Sequence, residues 1–439
     1  MRMDPRIDEN DSAPSFTDRD ATRGKLMGKD NSFHSEPKRS GFLLSLKKAG
    51  LGTALALACA FEICPAQDRA PIRLGMSTAL TGPASELGLN VRDGYLAAFE
   101  SANQSGGIQH RKLELVALDD GYEPVQAASN TEELIHKHRV LAIVGNLGTP
   151  TAAVSMPIAK QNQTLFFGAI TGSNLIRRDS HDLYVGHFRA SYDQETEAII
   201  DGLVRHGIKP HEIGFFTQRD SFGDSVFAGA VKHLQKHGVR ETRAIAHGRY
   251  ERNTVLVDDG IAELTLHSPH PKAVLLVGTF APCAEFIKKA RLFGLDALFI
   301  AVSFVGAEPL AHELKEQGDG VVISQVVPHC QQNDPGLQEY RRSLSQLPHQ
   351  PSPNHLSLEG YLSARLLLES IQKIEGEIHR ESIATSLKKL GDVDLKIGVL
   401  CRMDSQQNQA SHHTWLTTIE HSKVVPTTWD SIIHSVNTP

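Results

Sequence analysis

Two short segments of this 439-residue chain carry hydroxyl groups where a small anion would find donors. Val144-Gly145-Asn146-Leu147-Gly148-Thr149-Pro150-Thr151 follows the apolar run that starts at Val140, and Phe166-Phe167-Gly168-Ala169-Ile170-Thr171-Gly172-Ser173 follows the next one. The spacing puts Thr149 at a helix N-cap and Pro150 at the first helical position. Each strand then ends in small residues, a hydroxyl and free backbone N–H groups where a helix starts, a seat for an anion and most simply for a carboxylate. Catalysis finds less support. Asp119 and Asp120 could act as acid and base, but neighbours on a strand point to opposite faces and no nucleophile motif such as GxSxG is present. Cap and turn roles are expected for them, and the chain reads as a non-enzyme.

The elements that must hold these segments alternate regularly. Residues 72–76 and 113–118 read as strands, with a helix at 84–103 between them, spaced by Leu87, Val91, Tyr95, Leu96 and Phe99. A helix at 125–138, a strand at 141–144, a helix at 150–161 and a strand at 165–167 follow. After a pause over 183–191 the pattern resumes: helix 193–206, strand 213–217, helix 221–237, strand 240–246, helix 255–267, strand 273–277, helix 282–293, and strands 298–301 and 320–327. A helix at 355–374 and a hairpin of 414–420 with 423–428 close the chain. The fold class is α/β, with parallel sheets covered by helices on both faces and two units of similar size.

In open α/β sheets ligands bind beyond the carboxyl ends of the strands. In the first unit those ends hold Ala79-Leu80-Thr81-Gly82-Pro83, Asp119 to Tyr122, Asn146 to Thr151, and Ala169-Ile170-Thr171. In the second they hold Asp220-Ser221-Phe222-Gly223, Gly278-Thr279-Phe280-Ala281 and Ser303-Phe304-Val305. Each segment taken alone also reads as an ordinary cap or turn.

Composition narrows the classes. With 40% hydrophobic and 22% charged residues the chain is an ordinary soluble protein, and a formal charge of -6 offers no surface for nucleic acid. No stretch after residue 66 supplies the roughly 18 apolar residues of a membrane helix. Residues 1–40 are polar and charged, the composition of a disordered start. Lys38, Arg39, Lys47 and Lys48 then precede an apolar run at 49–61, and Cys64-Pro65-Ala66 before Gln67 offers a cleavage site, so residues 1–66 are read as a polar start plus a secretory signal peptide. A lipoprotein reading at Cys59 is weaker, because Leu57 puts a large residue in the wrong slot. Residues 50–55 imitate a dinucleotide fingerprint without a preceding strand or a following acid, and no cofactor is expected. Outside the leader, Cys283, Cys330 and Cys401 allow one long-range disulfide with a free thiol, or three buried thiols. The 22 His lack partners at metal spacing, so no metal is expected.

"GMSTALTGPASELGLNVRDGYLAAFESANQSGGI", "VGNLGTPT", "GAITGSN", "RDSFGDSVF" and "GTFAPCAEFIKKARLFGLDALFI", taken as an ordered set, resemble the periplasmic substrate-binding proteins of ABC transporters, the branched-chain amino-acid (leucine/isoleucine/valine) type with the type I periplasmic-binding fold. The resemblance implies two Rossmann-like lobes joined by three hinge crossings around a ligand cleft. Residues 70–190 with 328–410 would form one lobe and 191–327 with 411–436 the other, hinging near Ala190, Val327 and 400–414. It implies a periplasmic, monomeric protein that closes on a small ligand and docks on a membrane permease. It also implies that the ligand carboxylate is held at Thr149 and by Ala169 and Thr171. The candidate ligand-binding set is Leu80, Thr81, Glu86, Tyr122, Asn146, Leu147, Gly148, Thr149, Ala169, Ile170, Thr171, Phe222, Phe280, Ala281, Ser303 and Phe304.

Where that family's amino-acid binders place an aromatic hydroxyl and an acid for the ligand ammonium, this chain carries Ala281 and Ser303. A buried, unpaired ammonium is costly, so the expected ligand is a carboxylate without one, an aromatic or other organic acid, unless Glu86 or Asp120 supplies the missing acid. Tyr122, Phe222, Phe280 and Phe304 would form apolar walls, or belong to the core. A ligand-sensing regulator or receptor on the same fold is the alternative, and an adhesion protein the weakest.

Overall fold

The computed structural model describes residues 70–432. The polar start, the leader, Cys59 and Cys64 lie outside the described residues. In the first lobe β1 (Ile72–Thr78), β2 (Leu113–Asp119), β3 (Ala142–Val144), β4 (Leu165–Phe167) and β5 (Val185–Gly186) are linked by α1 (Ser85–Gln104), α2 (Pro124–His136) and α3 (Thr149–Gln161). They pair, all parallel, in the order β2-β1-β3-β4-β5. The second lobe alternates α4 (Tyr192–Arg205), β6 (Ile213–Gln218), α5 (Ser221–Lys236), β7 (His247–Tyr250), α6 (Asp258–Thr265), β8 (Ala273–Val277), α7 (Phe280–Leu292), β9 (Leu298–Ala301), α8 (Ala307–Leu314) and β10 (Val322–Gln325).

The chain then returns through α9 (Pro335–Ser345), α10 (His355–Gln372), α11 (Arg380–Lys388) and the antiparallel pair β11 (Gly391–Val393) and β12 (Cys401–Met403), with α9 and α10 packed on α1. It ends in the hairpin of β13 (Trp415–Glu420) and β14 (Lys423–Pro426), which adds two antiparallel strands to the second sheet: β14-β13-β10-β9-β8-β6-β7. The parallel part of this sheet repeats the order of the first, with β6 in the place of β1. Each sheet therefore reverses direction beside its first strand, and ligands of such folds gather at that reversal. The chain crosses between the sheets after β5, after β10 and after β12.

Strands covered on both faces need apolar side chains throughout, and all five residues of β8 are buried. Helix α10 is buried almost all round because α1 lies close against it. Glycines permit that approach: a Cβ on Gly94 would come within 2.1 Å of the Ser357 carbonyl oxygen, and one on Gly360 within 2.5 Å of that of Val91.

Three expectations are corrected. The strand expected at 240–246 forms only after it, as His247–Tyr250, behind a 3-10 turn at Thr242–Ala244. Its register is set by pairing with β6, from Phe215 opposite His247 to Gln218 opposite Tyr250, and by Gly248, whose missing side chain admits the Gly260 backbone. The three cysteines are buried free thiols, so the disulfide alternative falls. Thr149 is not a cap: Gly148, with φ of 90°, takes the N-cap position and Thr149 is the first residue of α3. After Thr171 only a three-residue 3-10 turn forms, and its cap is Ser173. Helices α8, α9 and α11 and the β11–β12 pair were not expected at all. Their sequences are short or strongly charged and acquire an apolar face only against the neighbours they pack on.

Substituting Gly94→Ala should push α1 off α10 and cost about 1–3 kcal/mol. Urea unfolding checks this, and an unchanged midpoint would contradict the packing described.

Candidate functional site

The ends of β3 and β4 continue to pair after the strands stop. Gly148 N–H donates to the Ile170 carbonyl at 3.1 Å, and Ile170 N–H to the Asn146 carbonyl at 2.8 Å. This register brings Thr149 Oγ1 and Thr171 Oγ1 to 2.7 Å, both fully buried, while the Thr171 hydroxyl also accepts from Ser173 N–H at 3.1 Å. Two hydroxyls that can serve each other in this way can also both turn to an acceptor placed between them.

The other expected residues divide into four groups. Tyr122, Phe222 and Phe304 form a chain: ring centroids lie 6.0 Å apart for Tyr122 and Phe304 and 4.7 Å for Phe222 and Phe304, so an aromatic from the first lobe touches one from the second, which packs on another of its own lobe. Tyr122 closes over Gly148, where a Cβ would come within 2.2 Å of its ring. Asn146, Leu147, Ala169 and Ile170 are buried supports. Asn146 donates to the Ser77 carbonyl at 3.1 Å and accepts from Thr151, which fastens β3 to β1. Leu80 and Thr81 sit above Asp119, whose carboxylate accepts from both of their N–H groups and from the Thr81 hydroxyl. Phe280 and Ala281 open α7 and pack against the core of the second lobe.

Of the acids proposed for an ammonium, one is engaged within the first lobe and the other is exposed. Asp120 accepts from the Ser77 hydroxyl at 2.7 Å and from Tyr122 N–H at 2.9 Å, and burial pushes its pKa up to about 6. Glu86 is exposed on α1, facing His312, Glu313 and Glu308 of α8. Asp119 and Asp120 thus both brace the turn after β2.

The sequence reading missed the charged centre beside the threonines. Arg189, on the first crossing, has no exposed surface. Its Nε lies 3.2 Å from Glu359 Oε1 of α10, and its Nη2 donates to the Ser303 hydroxyl. Ser303 in turn donates its N–H and its hydroxyl to Glu195 of α4, at 2.9 and 3.0 Å. Burial would lower the Arg189 pKa, but Glu359 and Glu195 outweigh it and hold the guanidinium firmly charged. Burial pushes Glu359 up to about 7 against the pull of Arg189. Arg177 donates to the carbonyls of Thr171, Ser173 and Arg189, which ties this centre to the second threonine. The signal in the sequence was a lone arginine between Phe188 and Ala190, in the stretch where the alternation pauses.

Further contacts hold the lobes together at the rim. Glu123, after β2, accepts from Arg252 and Asn253, after β7, at 2.7 Å each. Ser173 and Ser225 share a hydrogen bond of 2.6 Å, and His355 Nδ1 lies 2.6 Å from Glu308.

The model of the family described as periplasmic binding protein matches residues 71–423. This chain belongs to that family. A crystal structure of a possible leucine/isoleucine/valine-binding protein from Rhodopirellula baltica SH 1 is 44% identical, with a TM-score of 0.81 over 83% of this chain and 98% of that one. The leucine-, isoleucine-, valine-, threonine- and alanine-binding protein of Pseudomonas aeruginosa is 22% identical over 72% of this chain and 82% of its own length. An amino acid binding protein of the same organism is 22% identical over 55% of this chain, which spans 63% of that relative. The protein is therefore a periplasmic binding protein of the leucine/isoleucine/valine type, from a class that binds rather than catalyses.

Glu359 of this binding protein keeps its proton up to about pH 7 when folded, against an ordinary 4.5. Its contribution to stability is thus full below 4.5 and is lost as pH rises through about 7. Glu359→Gln should flatten the melting temperature between those limits, and curves that run parallel for variant and parent would contradict the assignment. At the rim, Glu123→Ala should weaken closure by about 1 kcal/mol or less. The expected readout is a larger radius of gyration by small-angle scattering, and an unchanged profile would show that closure does not lean on this contact.

Proposed function

We propose that the protein is an extracytoplasmic solute-binding protein that captures a small carboxylate-bearing ligand between its lobes and delivers it to the permease of an ABC transporter. The observation that carries this reading is the buried pair of threonine hydroxyls beyond the ends of β3 and β4, with the Tyr122 ring of the first lobe over the neighbouring Gly148 and Tyr192 of the second lobe near Thr171. A carboxylate offers each hydroxyl a charged acceptor, which strengthens the bond relative to the hydroxyl–hydroxyl contact it replaces. The rings supply an apolar wall for the rest of the ligand.

Closure follows from population shift. A ligand that touches both lobes stabilises the closed arrangement only through its own contacts that the open one lacks, and the lobe-to-lobe contacts of Tyr122 with Phe304 and of Glu123 with Arg252 would be made along with them. The crossings near Ala190, Val327 and 400–414 would absorb the rotation. We place the protein in the periplasm as a monomer, consistent with its family and with the leader read at its amino terminus. Stimulation of the permease's ATP hydrolysis by loaded protein separates delivery from sensing without transport.

The test of the ligand seat is a thermal-shift and calorimetric screen of carboxylic acids, amino acids and amides. The bound compound should carry a carboxylate, and Thr149→Val with Thr171→Val should lower its affinity by about a hundredfold, the loss of two hydrogen bonds to a charged group. Undiminished capture by the double variant would refute the seat.

A further inference from the structure

Arg189 is a fully buried cation with donors to spare. Its Nη2 is bound by Ser303, but Nη1 has no hydrogen-bond partner, and Nε, though close to Glu359, is not aligned for one. The phenol of Tyr192 is also buried without a partner. Its hydroxyl is near enough to the Thr171 hydroxyl and the Arg189 guanidinium to feel both, and its backbone N–H donates to the Gly172 carbonyl at 2.8 Å. The threonine pair thus has a buried phenol and a buried guanidinium in its neighbourhood, with Arg189 Nη1 left without a partner. A buried donor left unpaired costs about 1–3 kcal/mol, so such a donor persists where something else satisfies it.

The two acids next to it do not offer the opposite chemistry. Both Glu195 oxygens accept from Ser303, and Glu359 faces the guanidinium itself. A ligand ammonium here would be a second buried cation beside Arg189, competing for acids already engaged, and like charges in a buried site repel. An oxygen acceptor fits instead.

We propose that Arg189 determines the specificity of the cleft and that the ligand is a carboxylate with an oxygen on its second carbon, a 2-oxo acid above all. The carboxylate sits on Thr149 and Thr171, and the 2-oxygen accepts from Arg189 Nη1 with help from the Tyr192 phenol. This rests on the carboxylate reading of the threonine pair. Arg189 fills the role that the ligand's own ammonium plays in an amino-acid binder: it is the buried cation that faces Glu359 directly and Glu195 through Ser303.

Calorimetry with matched sets tests it on the purified full chain: 4-methyl-2-oxopentanoate, leucine and 4-methylpentanoate, then phenylpyruvate, phenylalanine and 3-phenylpropanoate. The 2-oxo acid should bind about ten- to a hundredfold more tightly than either companion of the same side chain. Arg189→Met should erase that preference. Because this variant leaves Glu359 buried without its cation, Arg189→Met with Glu359→Gln provides a second background, checked for folding by circular dichroism. Arg189→Lys, which keeps the charge and loses the fork, should fall between. Leucine or phenylalanine binding as well as its 2-oxo acid would overturn the proposal while leaving the carboxylate seat standing. So would an undiminished 2-oxo preference in a folded variant without Arg189. If no carboxylate binds at all, the seat itself fails and the proposal with it.

Discussion

Everything at the centre of this protein depends on two loops held in one register. Where β3 and β4 stop, their backbones keep pairing for another three residues, and this alone brings Thr149 and Thr171, 22 positions apart, to 2.7 Å. Gly148 makes the turn possible twice over: its positive φ suits a residue without a side chain, and the space its Cβ would take is filled by Tyr122. The hydroxyls, the ring that covers them and the helix that leaves them are set by one short stretch of backbone.

The second constraint is electrical. Arg189, Glu195 and Glu359 are buried together, and such charges survive in an interior only when paired and hydrogen-bonded. Glu359 comes from α10, which packs on the first lobe, and Ser303 and Glu195 from the second, with Arg189 on the chain that joins them. The network of ion pair and hydrogen bonds is therefore assembled only when these elements come together. Removing one partner would leave the others buried and uncompensated, so the network and the closed arrangement support each other.

Much of the fold was legible in order of appearance. The strands at 165–167, 273–277 and 298–301 were read with the bounds they have, because continuous apolar runs between helices leave few alternatives. The strand at 240–246 was misplaced because its own pattern is ambiguous and its pairing with β6 is a distant contact. Helix α9, with its charged and exposed outer face, carries too little apolar signal to be seen without α1 beside it. In the site, the threonines and the aromatics were named from their loops, whereas the positions of Glu86, exposed on α1, and Asp120, held within the first lobe, were not legible there. Asp120 is occupied by Ser77 and the backbone of Tyr122, contacts that no local pattern announces.

The sequence by itself determined the class: alternating apolar runs and helical spacings specify covered parallel sheets, and small residues with hydroxyls mark the strand ends where a ligand goes. It did so because those signals are local and repeat with the period of the backbone. Only the tertiary structure decided which charges face that place. Arg189, Glu195, Ser303 and Glu359 come from four separate stretches, and the energy that couples them exists only once burial removes water and brings them within reach of one another.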